Sequence, residues 1–95
     1  MVRIKINKNR AWITFVIENA KDINSAKIAG SWNKWELEPM KKRRNGSFSI
    51  TKILPSNSTY EFKYLIDEEW MIDNDVKKAI NEYGTFNSII EVRDE

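Results

Sequence analysis

AGSWNKW, residues 29–35, places two tryptophans three positions apart at the end of a short alternating run, Ala26-Lys27-Ile28-Ala29. Gly30 and Ser31 suit a chain leaving a strand, because glycine tolerates positive φ and close backbone approach. Asn33, Lys34 and Glu36 leave the rest of the segment polar apart from the Trp35 indole, so it reads as a surface loop. Two indoles in so short a loop do not both fit a core. One anchors the loop and the other is presented to a ligand.

Strands flank this loop in both directions. Downstream, Tyr60, Phe62, Tyr64 and Ile66 alternate with Glu61, Lys63, Leu65 and Asp67, the clearest strand in the chain, and the alternation turns Lys63 away from the apolar side. Asp67-Glu68-Glu69 is a turn, read as solubilising, that leads into a short strand at Trp70-Met71-Ile72, and a last strand runs from Phe86 to Val92 before a charged tail. Upstream, Val2, Ile4 and Ile6 alternate with Arg3 and Lys5. Ile13, Phe15 and Ile17 then alternate with Trp12, Thr14 and Val16, Trp12 being either exposed or packed on the first strand. Asn45-Gly46 is a strong turn signal before a strand over 47–54, with Phe48 and Ile50 inward. Lys52 breaks that alternation, as a bulge or as a snorkelling side chain. Residues 73–82 hold the only helix signal, one or two turns capped by Asp73 or Asn74 with Val76 and Ile80 four apart. Seven or so short strands with frequent turns predict one all-β sandwich over residues 1–95. Its core should contain Ile13, Phe15, Ile28, Phe48, Phe62 and Tyr64.

Composition narrows the chemistry. The 95 residues carry 16 basic and 14 acidic side chains, a net charge of +2 too slight to imply nucleic acid as a partner. The run Lys41-Lys42-Arg43-Arg44 reads as a solvated hairpin loop, with an RNA or anionic-partner patch as the sharper alternative. No aromatic is interleaved with those four charges, which argues against a stacking platform for single strands. Histidine and cysteine are both missing, which removes the commonest catalytic bases, the thiol nucleophile and most zinc sites. Asp73 and Asp75 lack the glycine and glutamate of a dedicated calcium loop. No apolar stretch approaches the ~20 residues that span a bilayer, and Met1–Ile6 has no signal-like hydrophobic run. The expectation is therefore a cytoplasmic, non-enzymatic module with no cofactor, no metal, no nucleic-acid partner and no membrane partner.

GSWNKW (30–35) resembles the GSFNNW-type loop of the starch- and glycogen-binding modules of carbohydrate-binding family 48. YEFKYLIDEEWMID (60–73) and YGTFNSIIEV (83–92) resemble the same family in the same order, so the likeness spans roughly Ile13 to Val92. The resemblance implies an immunoglobulin-like, early-set β-sandwich of about seven to eight strands, similar to the isoamylase N-terminal domains and to the glycogen-binding domain of the AMP-activated protein kinase β subunit. It implies non-catalytic binding of α-glucan (glycogen, starch or maltooligosaccharide). Carried over position by position, the binding set is Trp35, Lys63, Trp70, Tyr83, Thr85 and Asn87. Tyr83 departs from the kinase-type modules, which have leucine there; a tyrosine can stack on sugar. Trp32 takes the family's buried phenylalanine position. Such modules accompany glycogen-metabolising enzymes, which makes such an enzyme the implied partner. The competing expectation is a degenerate sugar site on a module that docks to an enzyme or kinase-like complex through an exposed strand edge.

Overall fold

Alternating apolar and polar residues become ten strands in the computed structural model, which describes residues 1–93. In chain order they are β1 (Val2–Asn7), β2 (Arg10–Ile17), β3 (Ala26–Gly30), β4 (Glu38–Pro39), β5 (Lys41–Lys42), β6 (Phe48–Pro55), β7 (Ser58–Ile66), β8 (Glu69–Met71), β9 (Lys77–Ile80) and β10 (Phe86–Val92). A single 3-10 turn at Ser31–Asn33 follows β3. The strands form two antiparallel sheets. One has the order β1-β2-β6-β5; the other has the order β4-β3-β7-β10-β9, with β8 also pairing β7. The count exceeds the expected seven to eight because β4 and β5 are extra pieces of two residues and β9 forms where a helix was expected. Asp94 and Glu95, the end of the expected charged tail, lie outside the described residues.

The core lies between the sheets. Ala11, Ile13 and Phe15 of β2 face Ile28 of β3 and Tyr60, Phe62 and Tyr64 of β7, and all six residues expected inside are buried. Phe15 meets Phe62 edge-on across the sandwich, with ring centroids 4.8 Å apart. That T-shaped geometry is the one the ring quadrupoles favour.

Lys52 needs no bulge. β2 and β6 pair without a break from Arg10↔Pro55 to Ile17↔Phe48, so Lys52 keeps the inward parity of Phe48 and Ile50. Its ammonium reaches across the sandwich to Glu38 Oε1 at 2.6 Å, and Trp32 Nε1 donates to the other carboxylate oxygen at 3.4 Å. The lysine therefore snorkels to a partner in the opposite sheet.

Two expectations are corrected. No helix forms over 73–82: Asp73 Oδ1 accepts the Asp75 N–H two residues on, at 2.9 Å, and Lys77–Ile80 pairs with β10. Aspartate caps a turn here, and sheet pairing overrides the four-residue spacing of Val76 and Ile80. The 67–69 turn is also more than a solubilising one. Asp67 Oδ1 accepts the backbone N–H groups of Asn24 and Ser25 at 3.0 and 2.9 Å, tying the β2–β3 connection to the β7–β8 hairpin.

Asp73 organises the end of the sandwich near Met1. Its Oδ2 accepts the Met1 ammonium and the Tyr64 hydroxyl, each at 2.8 Å, and its N–H donates to Ser88 Oγ at 2.6 Å. Burial alone would raise the Asp73 pKa, but the donors from Met1, Asp75 and Tyr64 outweigh it and hold the carboxyl below its ordinary range. The Tyr64 phenol is pushed far above its ordinary range, first by burial and then by the Asp73 charge.

A carboxyl depressed in the folded state contributes stability above its unfolded pKa of about 3.9 and loses it as pH falls through the lower folded value. Denaturant titrations of Asp73→Asn and wild type should therefore differ most at neutral pH and converge in acid, below about pH 4. Phe62→Ala should cost ~3–5 kcal/mol through lost burial and the cavity left behind, read from the denaturant midpoint. A loss under about 1 kcal/mol would place Phe62 outside the cooperative core.

Candidate functional site

The parity that buries Phe62 turns its neighbours outward. Glu61 and Lys63 of β7, Asn87 of β10 and Trp70 of β8 lie on the outer face of the six-stranded sheet, Trp70 opposite Leu65 across the ladder. The two tryptophans of the 29–35 loop divide as the loop chemistry requires. Trp32 packs on the core, its ring 5.3 Å from that of Phe15 and 6.4 Å from those of Tyr60 and Phe62. Gly30 makes room for it, since a Cβ there would sit 2.4 Å from the indole. Trp35 is 40% exposed. Lys34 and Trp35 hold φ of 60° and 64°, and the Trp35 N–H bonds Gly30 O at 3.0 Å. Two successive left-handed non-glycine residues carry strain, which the closed loop retains and which aims the second indole outward.

All six residues expected to form a site line one groove of about 790 Å³. Trp35 and Trp70, the latter 54% exposed, supply flat apolar walls, and Tyr83 projects with 82% of its surface open. Between them runs a chain of polar contacts. Lys63 Nζ donates to Thr85 Oγ1 at 3.1 Å, and Asn81 Nδ2 donates to the same oxygen at 2.7 Å. Asn87 accepts from Asn81 Nδ2 at 3.3 Å and donates to Glu61 Oε1 at 3.2 Å. Only 7% of Asn87 is exposed, so it holds its neighbours in place more than it offers a free amide.

Four lining residues were not legible as site residues: Glu61, Ile80, Asn81 and Glu82. Asn81 matters most. Its Oδ1 accepts the N–H groups of Tyr83 and Thr85 at 2.9 and 3.1 Å, and its carbonyl accepts the Gly84 N–H at 3.1 Å. It thereby folds residues 81–85 into the loop joining β9 and β10, with Gly84 at φ +79°. The only sequence signal was turn chemistry, an asparagine three residues before a glycine. Among the described residues no group of three or more aspartate or glutamate side chains could hold a metal ion. The arrangement suits a ligand with an apolar face and a hydroxyl rim: indoles cover the first, while an ammonium, a hydroxyl and a carboxylate bond the second.

The family model described as the glycogen recognition site of AMP-activated protein kinase matches residues 13–95. The chain is 30% identical over 66 residues to 5'-AMP-activated protein kinase subunit beta-1 of Sus scrofa. It is 28% identical over 67 residues to SNF1-related protein kinase regulatory subunit beta-2 of Arabidopsis thaliana. It is 27% identical over 71 residues to Cruciform DNA-recognizing protein 1 of Saccharomyces cerevisiae. Each match covers 70% of this chain, but only 52%, 23% and 15% of the respective relatives, so the chain spans about half their length or less.

Asn81→Ala should free the Tyr83 and Thr85 amides. Each loses a hydrogen bond worth about 1 kcal/mol, so both should exchange with deuterium roughly fivefold faster while the melting temperature moves little. Unchanged exchange at both amides would show that the loop is held by other contacts.

Proposed function

The chain belongs to the family of the glycogen recognition site of AMP-activated protein kinase, and from that premise we propose that its groove binds α-glucan by stacking glucose units on Trp35 and Trp70. The observation that carries this reading is the placement of both exposed indoles on one groove with the Lys63–Thr85–Asn81 chain at its rim. In it, Lys63, Thr85 and Glu61 bond sugar hydroxyls, Tyr83 offers a third ring, and Asn87 and Asn81 hold the polar groups in position. Covering about 70 Å² of each indole at about 25 cal/mol/Å² contributes roughly 1.5–2 kcal/mol per ring. A few hydrogen bonds of about 1 kcal/mol each bring binding towards the micromolar-to-millimolar range. That is enough for a polymer presenting many equivalent sites.

The proposal includes no catalytic step and gives Glu61 and Glu82, the two carboxylates lining the groove, no acid–base role. The narrower placement in carbohydrate-binding family 48 beside the isoamylase N-terminal domains is part of the same reading, supported by the three motifs in register. So is a cytoplasmic location. No helix among the described residues is long and apolar enough to cross a membrane. Two relatives are protein kinase subunits by name, which supports a second role in docking to a kinase-like complex. The open edge of β9, at the end of its sheet, is a strand available for that contact.

Isothermal titration with maltoheptaose tests the sugar site. Trp35→Ala and Trp70→Ala should each weaken binding roughly ten- to thirtyfold with little change in melting temperature. Trp32→Ala should instead lower the melting temperature, since its ring packs on Phe15 and Phe62. Wild-type affinity in both exposed-tryptophan variants, or no binding by wild type, would favour the docking role alone.

A further inference from the structure

The net charge of +2 conceals a strong segregation. Residues 1–17 and 41–57, which build the β1-β2-β6-β5 sheet, hold nine lysines and arginines and no aspartate or glutamate. The remaining segments hold seven basic residues and all fourteen acids. Register then arranges the outer face of the cationic sheet in rows. Lys5, Trp12 and Ile53 lie side by side across three strands, as do Arg3, Thr14 and Thr51. Val16, Ser49 and Lys41 form the next row, and Arg43 Nε folds onto it to donate to Ser49 Oγ at 2.7 Å. The two edges of the sheet thus carry cations, Arg3 and Lys5 on one side and Lys41 with the adjoining Arg43 on the other. Between them lies a neutral strip with a half-buried indole, an Ile53 side chain 56% exposed and a Thr14–Thr51 hydroxyl pair 2.9 Å apart. None of the four flanking cations has an ion-pair partner among the described residues.

We propose that this outer face binds single-stranded nucleic acid, with phosphates along the cationic edges and a base stacked on Trp12. Charge complementarity selects a polyanion, and a ring-bearing centre between cationic edges selects one with flat, stackable groups. An acidic polypeptide would use the cations and leave the indole unmatched. An anionic bilayer is a poorer fit, because the apolar groups lie inside a sheet face flanked by charge, not on a segment able to insert. Duplex DNA fits poorly too: β1 and β5 are three strand spacings apart, about 14 Å, wider than the ~12 Å major groove that admits a two-stranded ribbon. The absence of aromatics within residues 41–44 is no obstacle, since the sheet brings Trp12 to the same face as Lys41 and Arg43. The glucan groove lies on the outer face of the other sheet, so the two ligands do not compete.

Fluorescence anisotropy with a labelled oligothymidylate of about twenty nucleotides tests the proposal over a range of NaCl concentrations. With four phosphates neutralised, log K should fall against log[NaCl] with a slope near −3. Arg3→Gln combined with Lys5→Gln, both at exposed positions, should make that slope shallower by about 1.4. Trp12→Ala should weaken binding on the order of tenfold without altering the slope. The Arg3/Lys5 variant keeps the test decisive should Trp12→Ala prove unstable by circular dichroism. Binding should persist in Trp70→Ala and in excess maltoheptaose, which separates this surface from the glucan groove. Several results would overturn the proposal: no oligonucleotide binding at low salt, an unaltered slope in the Arg3/Lys5 variant, loss of binding on adding maltoheptaose, or equally tight binding of polyglutamate, phosphatidylserine vesicles or duplex of the same length.

Discussion

The two-residue alternation of β7 is the constraint from which both core and groove follow. One side of the strand carries Tyr60, Phe62 and Tyr64 into the sandwich; the other carries Glu61 and Lys63 into the groove. β3, β8 and β10 pair directly with it, so each contributes its own outward residues on the same face. Slipping any of these ladders by one residue would expose the core set and bury the polar one. The edge-on contact of Phe62 with Phe15 therefore also sets where Lys63 stands, one residue further along the strand.

Rigidity is spent differently in the two loops that complete the groove. In the 31–35 segment a packed indole fixes the loop, and left-handed backbone at Lys34 and Trp35 directs the exposed ring. In the 81–85 segment no ring is packed, and one asparagine side chain satisfies two backbone amides instead. Both devices hold the groove's side chains in place, and under the proposed function that order reduces the ordering cost of binding. They also leave Trp35, Trp70 and Tyr83 exposed at little expense to the fold, because none of the three belongs to the buried cluster.

Charge separates the sandwich as clearly as hydrophobicity does. The sheet opposite the groove has no acidic residue, and its inward lysine on β6, Lys52, is neutralised by Glu38 from the other sheet. That ion pair, partly exposed at both ends, is an electrostatic link between the layers that also engages Trp32. The two outer faces are left with different chemistry: aromatic rings and hydroxyl-bonding groups on one, an indole strip between unpaired cations on the other.

Much of this was legible in the chain. Alternation at Ile13/Phe15 and Tyr60/Phe62/Tyr64 predicted a β-sandwich and its core, because strand period is a local property of sequence. Three short motifs grouped Trp35, Lys63, Trp70, Tyr83, Thr85 and Asn87, which line one groove, and the division of Trp32 from Trp35 followed from loop chemistry and resemblance. Contacts distant along the chain were not legible. Lys52 left a bulge and a snorkelling side chain equally open until Glu38 was brought to it from fourteen residues away, and Asp67 read as solvated until the amides of Asn24 and Ser25 met it. The spacing of Val76 and Ile80 suggested a helix, but β10 offered that segment a ladder, and ladder hydrogen bonds outweigh a weak local period. Asn81 had no signal beyond that of a turn residue, since its importance lies in the amides it meets once the hairpin closes. Sequence alone determined which residues face inward and which of the loop's two indoles stays exposed; only the tertiary structure decided which polar groups meet, because their partners are set by strand register and not by neighbourhood along the chain.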